Sequence, residues 1–263
     1  MRRRKPVTVL AVVMAWLLFA STALAVVTIE GNNVFGNGHA ITIDQDESGA
    51  TRVNSSEDGA IDDNVRNADV AGHNIYGGSN GQDVSGNTSV TINGGEVGDV
   101  YGGGLNGDVN GSTTVTVNGG TTGDVYGGGH AEGGDANSSN RNGQNGDADV
   151  TGNTNTTVNG GATGDVYGGG HAEGGDAVSS GILAAFNGGN ADATVGGSTN
   201  GGNTSVTVNG GSTGNVYGGG NAEGGDADER NGTLVIANGG DAAATVRNDT
   251  NVTINGGTVN GTV

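Results

Sequence analysis

One decapeptide, Gly-Asn-Thr-Ser-Val-Thr-Ile-Asn-Gly-Gly, begins at Gly86 and returns in variant form at Gly111, Gly152, Gly202 and Asn248. In four copies it runs on into Gly-Asp/Asn-Val-Tyr-Gly-Gly-Gly, starting at Gly98, Gly123, Gly164 and Gly214, and a half copy, His73-Asn74-Ile75-Tyr76-Gly77-Gly78, precedes them. Read at Asn93, Asn118, Asn159, Asn209 and Asn255, the copies are 25, 41, 50 and 46 residues apart. The core is constant and the linker, built of Gly, Asn, Asp, Ala and Ser, varies in length. Such a unit cannot bury an apolar face alone, so copy must stack on copy.

Within each copy the residues alternate with the period of a strand. Val90 and Ile92 point one way, followed by Val115/Val117, Thr156/Val158, Val206/Val208 and Val252/Ile254. Ser89, Thr91 and Asn93 point the other, and a threonine column of Thr91, Thr116, Thr157, Thr207 and Thr253 runs unbroken along that outer side. Asn-Gly-Gly then supplies positive φ for a tight corner, and a second short strand carries Val-Tyr. The pattern predicts an all-β fold: a repeat β-solenoid, parallel β-helix-like, with variable glycine- and aspartate-rich loops and strands stacked about 4.8 Å apart. Glycine and β-branched residues exclude helix from the repeats, and the 58 glycines lack the every-third spacing of collagen. Two buried aliphatics per copy make a thin core against the entropy of ordering so many residues. Ladder hydrogen bonds, side-chain stacks, cations or neighbouring molecules must supply the rest.

The first 25 residues have the three parts of an export leader: basic Arg2 to Lys5, an apolar run from Val7 to Ala20, and Ala23-Leu24-Ala25 before the cut. Its removal takes away the only lysine and the only proline, leaving five arginines against 28 carboxylates, a charge of −23. Such a chain repels nucleic acid and anionic lipid, and no membrane insertion is expected once the leader is gone. Without cysteine there are no disulfides and no thiolate chemistry. The division expected is a signal peptide over 1–25, an N-terminal strand and irregular acidic lead or cap over 26–70, and the glycine-rich repeats over 71–263. The inserts around Asn137 to Asp147 and Ala177 to Thr199 read as mobile or placed to one side; Ile182, Leu183 and Phe186 read as tucked against the repeats, with a small apolar patch for a partner as the alternative.

Two columns are candidate sites. All five tyrosines, Tyr76, Tyr101, Tyr126, Tyr167 and Tyr217, occupy one repeat position after an inward valine or isoleucine. They are expected as a ladder on the outside, either covering the repeats or gripping sugar rings or another fibre. The second column is His130-Ala-Glu132-Gly-Gly-Asp135, repeated with Glu173 and Asp176 and, with asparagine for histidine, with Glu223 and Asp226. In register these carboxylates repel unless a cation lies between them, and oxygen ligands suit calcium; a solvated acidic loop is the alternative. Loss of the histidine in the third copy argues against catalysis or a transition metal. An enzyme would need one unrepeated constellation, which the sequence does not offer, and the mixed neighbours of the threonine column make a poor lattice for ice.

The Thr-Val-Asn-Gly-Gly-x-x-Gly-Asp-Val-Tyr-Gly-Gly-Gly unit resembles repeats of glycine-rich β-solenoid surface proteins, the bacterial adhesins and autotransporter-type passenger regions, from about Ala71 to Val263. The resemblance implies an extracellular or cell-surface place, attachment or matrix roles, and no chemistry. Gly119-Gly120-Thr-Thr-Gly123-Asp124-Val-Tyr126 is also similar to the calcium-binding nonapeptide, with one glycine displaced. That likeness repeats over Gly160 to Tyr167 and adds Asp124 and Asp165 to the candidate calcium ligands; Asn215 replaces the aspartate in the next copy. The expected function is a secreted structural or adhesive repeat protein that self-associates laterally or head to tail through strands at its two ends, with a calcium-dependent, glycan- or cation-binding module as the alternative.

Overall fold

The structure is a computed structural model and describes residues 26–137, 139–180, 184–197, 202–230 and 235–263. The leader, and with it the expected cut site, lies outside these residues. So do Ile182 and Leu183. Among the described residues the chain is almost wholly β, with one short helix.

Two seven-stranded sheets organise the repeats. In the first, Thr88–Ile92, Thr113–Val117, Thr154–Val158, Thr204–Val208 and Thr250–Ile254 pair parallel and in strict register, so Val90 lies on Val115 and Thr91 on Thr116. In the second, the short Val-Tyr strands do the same, from Asn74–Tyr76 through Val100–Tyr101 to Val216–Tyr217. Between the strands each chain turns at Asn-Gly-Gly, whose second glycine (Gly95, Gly120, Gly161, Gly211, Gly257) has φ between 80° and 85°. The inward valines and isoleucines of both sheets meet in one apolar core, which Val97 joins from the turn between them.

Polar side chains form ladders along the stack. Asn118, Asn159, Asn209 and Asn255 each donate Nδ2–H to Oδ1 of the preceding asparagine at 2.8–2.9 Å, and Asn93 donates to Asp44. An amide both donates and accepts, so asparagine stacks on itself; the first member need only accept, and a carboxylate fills that place. The buried hydroxyls of Thr88, Thr113, Thr154 and Thr204 donate to the glycine carbonyls 14 residues on, Gly102, Gly127, Gly168 and Gly218. These bonds tie the first sheet to the turn after the second. In that turn backbone lies on backbone: a Cβ on Gly103 would sit 2.7 Å from the Cα and N of Gly129, which is why glycines follow every tyrosine, three in the full copies and two after Tyr76.

Residues 26–70 are more regular than their composition suggests. Thr28–Glu30 forms a hairpin with Asn33–Phe35, and Ile41–Gln45 with Thr51–Asn54; the second strand of the first hairpin and the first of the other pair parallel to the repeats. The N-terminal strand expected to reach a second molecule pairs on one edge with Asn33–Phe35 and ends the second sheet. The helix Asp63–Asn67, capped by the Asp62 carboxylate, places Val65 in the common core with Val34, Ile43 and Val53. The inserts are also ordered where described. Ala177–Ser180 pairs with Ala227–Arg230 and Ala184–Asn187 with Val235–Asn238, both parallel. Phe186 is buried against Ala136 and Ala177, so it belongs to a small core and not to an exposed patch.

One copy departs from the inward pattern. Thr156 stands where the others have valine, and its Oγ1 is buried without a hydrogen-bond partner among the described residues. Thr156→Val should therefore stabilise the protein by about 1 kcal/mol. On the same strand Asn159→Asp, which removes the ladder donor and sets a carboxylate against Oδ1 of Asn118, should destabilise by about 1–3 kcal/mol. Thermal melts of the two variants are expected to move in opposite directions.

Candidate functional site

The Val-Tyr strands alternate like any strand, so with valine in the core the tyrosines project from the opposite face of the second sheet. That face is covered. Tyr76, Tyr101 and Tyr126 are each 2 % exposed and, with Phe35 and Tyr167, form a second buried cluster. The ladder expected on the outside is therefore interior, because the next part of the repeat folds over it; among the tyrosines only Tyr217, 37 % exposed, presents a free ring. The six rings from Phe35 to Tyr217 stack face to face with centroids 4.7–5.0 Å apart. Burial pushes the phenol of Tyr167 up to about 12, assisted by Asp165, and those of Tyr76, Tyr101 and Tyr126 further.

The covering element is the His-Ala-Glu segment. His130–Glu132, His171–Glu173 and Asn221–Glu223 pair parallel in register. Ala131 and Ala172 pack into an alanine cluster on one face, and the histidines turn to the tyrosines on the other. The His130 ring lies 5.0 Å from Tyr101 and 4.8 Å from His171, which lies 5.2 Å from Tyr126. His130 Nδ1 is 3.2 Å from the Tyr76 hydroxyl. Nε2 of His130 and both ring nitrogens of His171 are shut off from solvent with no hydrogen-bond partner among the described residues. Burial, with His171 alongside, pushes the His130 imidazole down to about 4, and burial also lowers His171.

The expected calcium ligands fall into separate columns. In the first, Asp124 and Asp165 continue a line from Asn74 and Asp99 in which each Oδ1 accepts the backbone N–H of the next member at 2.7–2.9 Å. Oδ2 accepts the hydroxyl of the tyrosine two residues on. Burial and the flanking carboxylates raise Asp124; Asp165 is also desolvated but is held below the usual range by hydrogen bonds from Asn215 and Tyr167. In the second, Asp135, Asp176 and Asp226 form the same kind of line, Oδ1 to the next backbone N–H at 3.0 and 2.7 Å. Glu132, Glu173 and Glu223 stand in register beside it, and burial, then Glu173 and Asp135, raise Glu132. Among the described residues no three of His, Cys, Asp and Glu gather closely enough to hold a metal ion.

Two features were not singled out by sequence reasoning. A cleft of about 330 Å³ is lined by Asn145, Asp147, Asn190, Asp192 and Asp241; beside Asp147 and Asp192, Asp149 is raised to about 6, chiefly by burial. These residues come from inserts of different length, so only their pairing in space aligns them. The other is the contact of His39 Nδ1 with Glu57 at 2.5 Å, which borders a cleft with Gln82 and Asp83. Neither residue belongs to a repeat, and no sequence signal links them.

No helix among the described residues is long and apolar enough to cross a membrane. No family model, curated protein or solved structure matches the chain.

The stacked histidines generate a pH prediction. Their imidazoles are harder to protonate folded than unfolded, so this contribution is intact above about pH 6.5 and is lost as pH falls towards 4, on the order of 3 kcal/mol for His130. The raised carboxylates act oppositely, adding stability as pH falls through about 6. The double variant His130→Asn/His171→Asn, which copies Asn221, should remove the first effect alone. Melting temperatures measured from pH 7 to 4 are expected to hold up better at the acid end in the variant than in the parent.

Proposed function

We propose that the chain is a β-solenoid, a parallel β-helix-like stack whose glycine- and aspartate-rich loops vary in length, and that it serves as a secreted structural or adhesive repeat protein of the cell surface or extracellular matrix. The observation that carries this reading is continuity. Five copies stack in one register; asparagine and threonine run as ladders through all five, and tyrosine stacks through the four that carry it. Repetition of this kind makes an extended scaffold with many equivalent surface positions and not a single reaction centre. The charge of the leaderless chain fits an extracellular medium in which salt screens self-repulsion.

Self-association, end to end or lateral, is part of the proposal. Among the described residues the strand Thr250–Ile254 has one neighbour, Thr204–Val208; its own Ile254 is 40 % exposed, and Tyr217, at the end of the second sheet, is 37 % exposed. An unpaired parallel edge with apolar side chains next to it is a template for a further strand. Electron micrographs of the leaderless protein should show filaments that lengthen with protein concentration; separate short rods at every concentration would remove self-association from the proposal.

A second reading, a calcium-dependent module, is favoured by the in-register carboxylates Glu132/Glu173/Glu223 and Asp135/Asp176/Asp226, whose mutual repulsion a divalent cation would relieve. If calcium binds them, the melting temperature rises with calcium and returns with chelator at constant ionic strength. An unchanged melt identifies them as solvating rows and leaves the structural or adhesive reading alone.

A further inference from the structure

The first seven-stranded sheet turns its valines and isoleucines to the core and leaves its other face open. On that face each repeat strand and the asparagine after it offer three outward positions, the first filled by Ser89, Thr114, Asn155, Ser205 and Asn251. The middle column is Thr91, Thr116, Thr157, Thr207 and Thr253, half-buried side by side, and Thr42 of the N-terminal cap extends it by one strand. The third is the exposed asparagine ladder, whose amides are fixed by bonds of 2.8–2.9 Å.

None of these fifteen repeat positions carries a charge, in a chain with 28 carboxylates. The acidic rows lie on other faces of the repeat. A solvated face of so acidic a protein would ordinarily carry its share of charge for solubility; on the five repeat strands it is replaced by hydroxyls and amides, and charge returns only with Asp44 and Arg52 of the cap at one end of the face. Both types donate and accept, and the spacing is fixed at about 4.8 Å along the stack and about 6.7 Å along each strand. An anionic partner gains nothing on this face. A cationic one finds its attraction elsewhere on the molecule, and a second copy brings its own −23. What matches is a neutral, extended partner covered with hydroxyl groups.

We propose that this threonine–asparagine face is the adhesive surface and that its ligand is a neutral, insoluble polysaccharide. The inference rests on the adhesive reading above and names its face and ligand class. Each asparagine uses one N–H and one lone pair within the ladder and keeps one of each for a sugar hydroxyl or acetamido group. The threonine hydroxyls bind in the same plane, and their methyl groups cover the apolar ring faces. The first column changes between serine, threonine and asparagine from copy to copy. Rotatable sugar hydroxyls accommodate such changes, whereas the fixed lattice of ice does not. Each contact is weak, and many in register sum to retention.

The test is co-sedimentation of the leaderless protein with microcrystalline cellulose and with chitin at high ionic strength, which suppresses charge-driven adsorption. The parent is expected to sediment with at least one of the two. Thr116→Glu/Thr157→Glu, which sets charges against a neutral polymer in the middle of the face, should weaken retention about tenfold or more. Thr116→Val/Thr157→Val keeps shape and strand preference but removes two hydroxyls and should also weaken it; this variant decides the matter if the glutamates impair folding. Asp63→Asn, on the exposed side of the short cap helix, should leave retention unchanged. The inference is overturned if the parent stays in solution with both solids, or if the valine variant sediments as well as the parent. It is equally overturned if the protein shapes growing ice crystals without retention on either polymer, which would assign the face to frozen water. Filament formation is a separate readout, so a failed sedimentation with intact filaments sinks this inference and leaves the structural reading standing.

Discussion

Everything in this molecule depends on one constraint: each residue of a repeat lies one strand spacing, about 4.8 Å, from its counterpart in the next. A position is therefore occupied by a residue that tolerates a copy of itself. Asparagine satisfies this because its amide donates to one neighbour and accepts from the other. Tyrosine satisfies it by stacking rings. Aspartate lacks a donor, and where it recurs its oxygen turns to the backbone N–H of the following repeat instead. Burial first, and after it the repulsion that remains, raise the carboxyls of Asp124 and Glu132.

The same constraint explains how a chain with so few large apolar residues holds a core. The aliphatic column is two residues wide per copy in the first sheet and one in the second. Aromatic stacking, alanine packing behind the histidine strands and the threonine-to-glycine-carbonyl bonds add separate layers to it. Glycine permits this density in two different ways. At Gly95 and its counterparts it supplies a left-handed corner, and at Gly103 it allows backbone to lie on backbone.

Charge and neutrality are segregated around the repeat. The second sheet is backed by tyrosine and histidine whose rings stack on one another. Carboxylate rows occupy the loops beyond, while the open face of the first sheet holds only hydroxyls and amides among its repeat positions. Stack stability and surface chemistry are thus assigned to different sides of the same coil of sequence. A loop insert of up to 25 extra residues, from the 25-residue spacing to the 50-residue one, changes one side without disturbing the other.

From the sequence alone came the strands, their inward and outward alternation, the glycine corners and the stacking of copy on copy, because all are written in a period of two and a recurring motif. The threonine column and the acidic rows were legible for the same reason. The fate of the tyrosines was not: alternation says which side of a strand a residue faces, and only the path of the following loop decides whether that side is covered. The His-Ala-Glu segment covers it, and this buries Tyr101 and turns His130 from a loop residue into a stacked one. The N-terminal cap was hidden because its strands complete sheets made by residues far along the chain. The pairing of Asp147 with Asp192 across inserts of unequal length was likewise decided by tertiary structure, since register in space does not follow spacing in sequence once loops bulge outward between fixed strands.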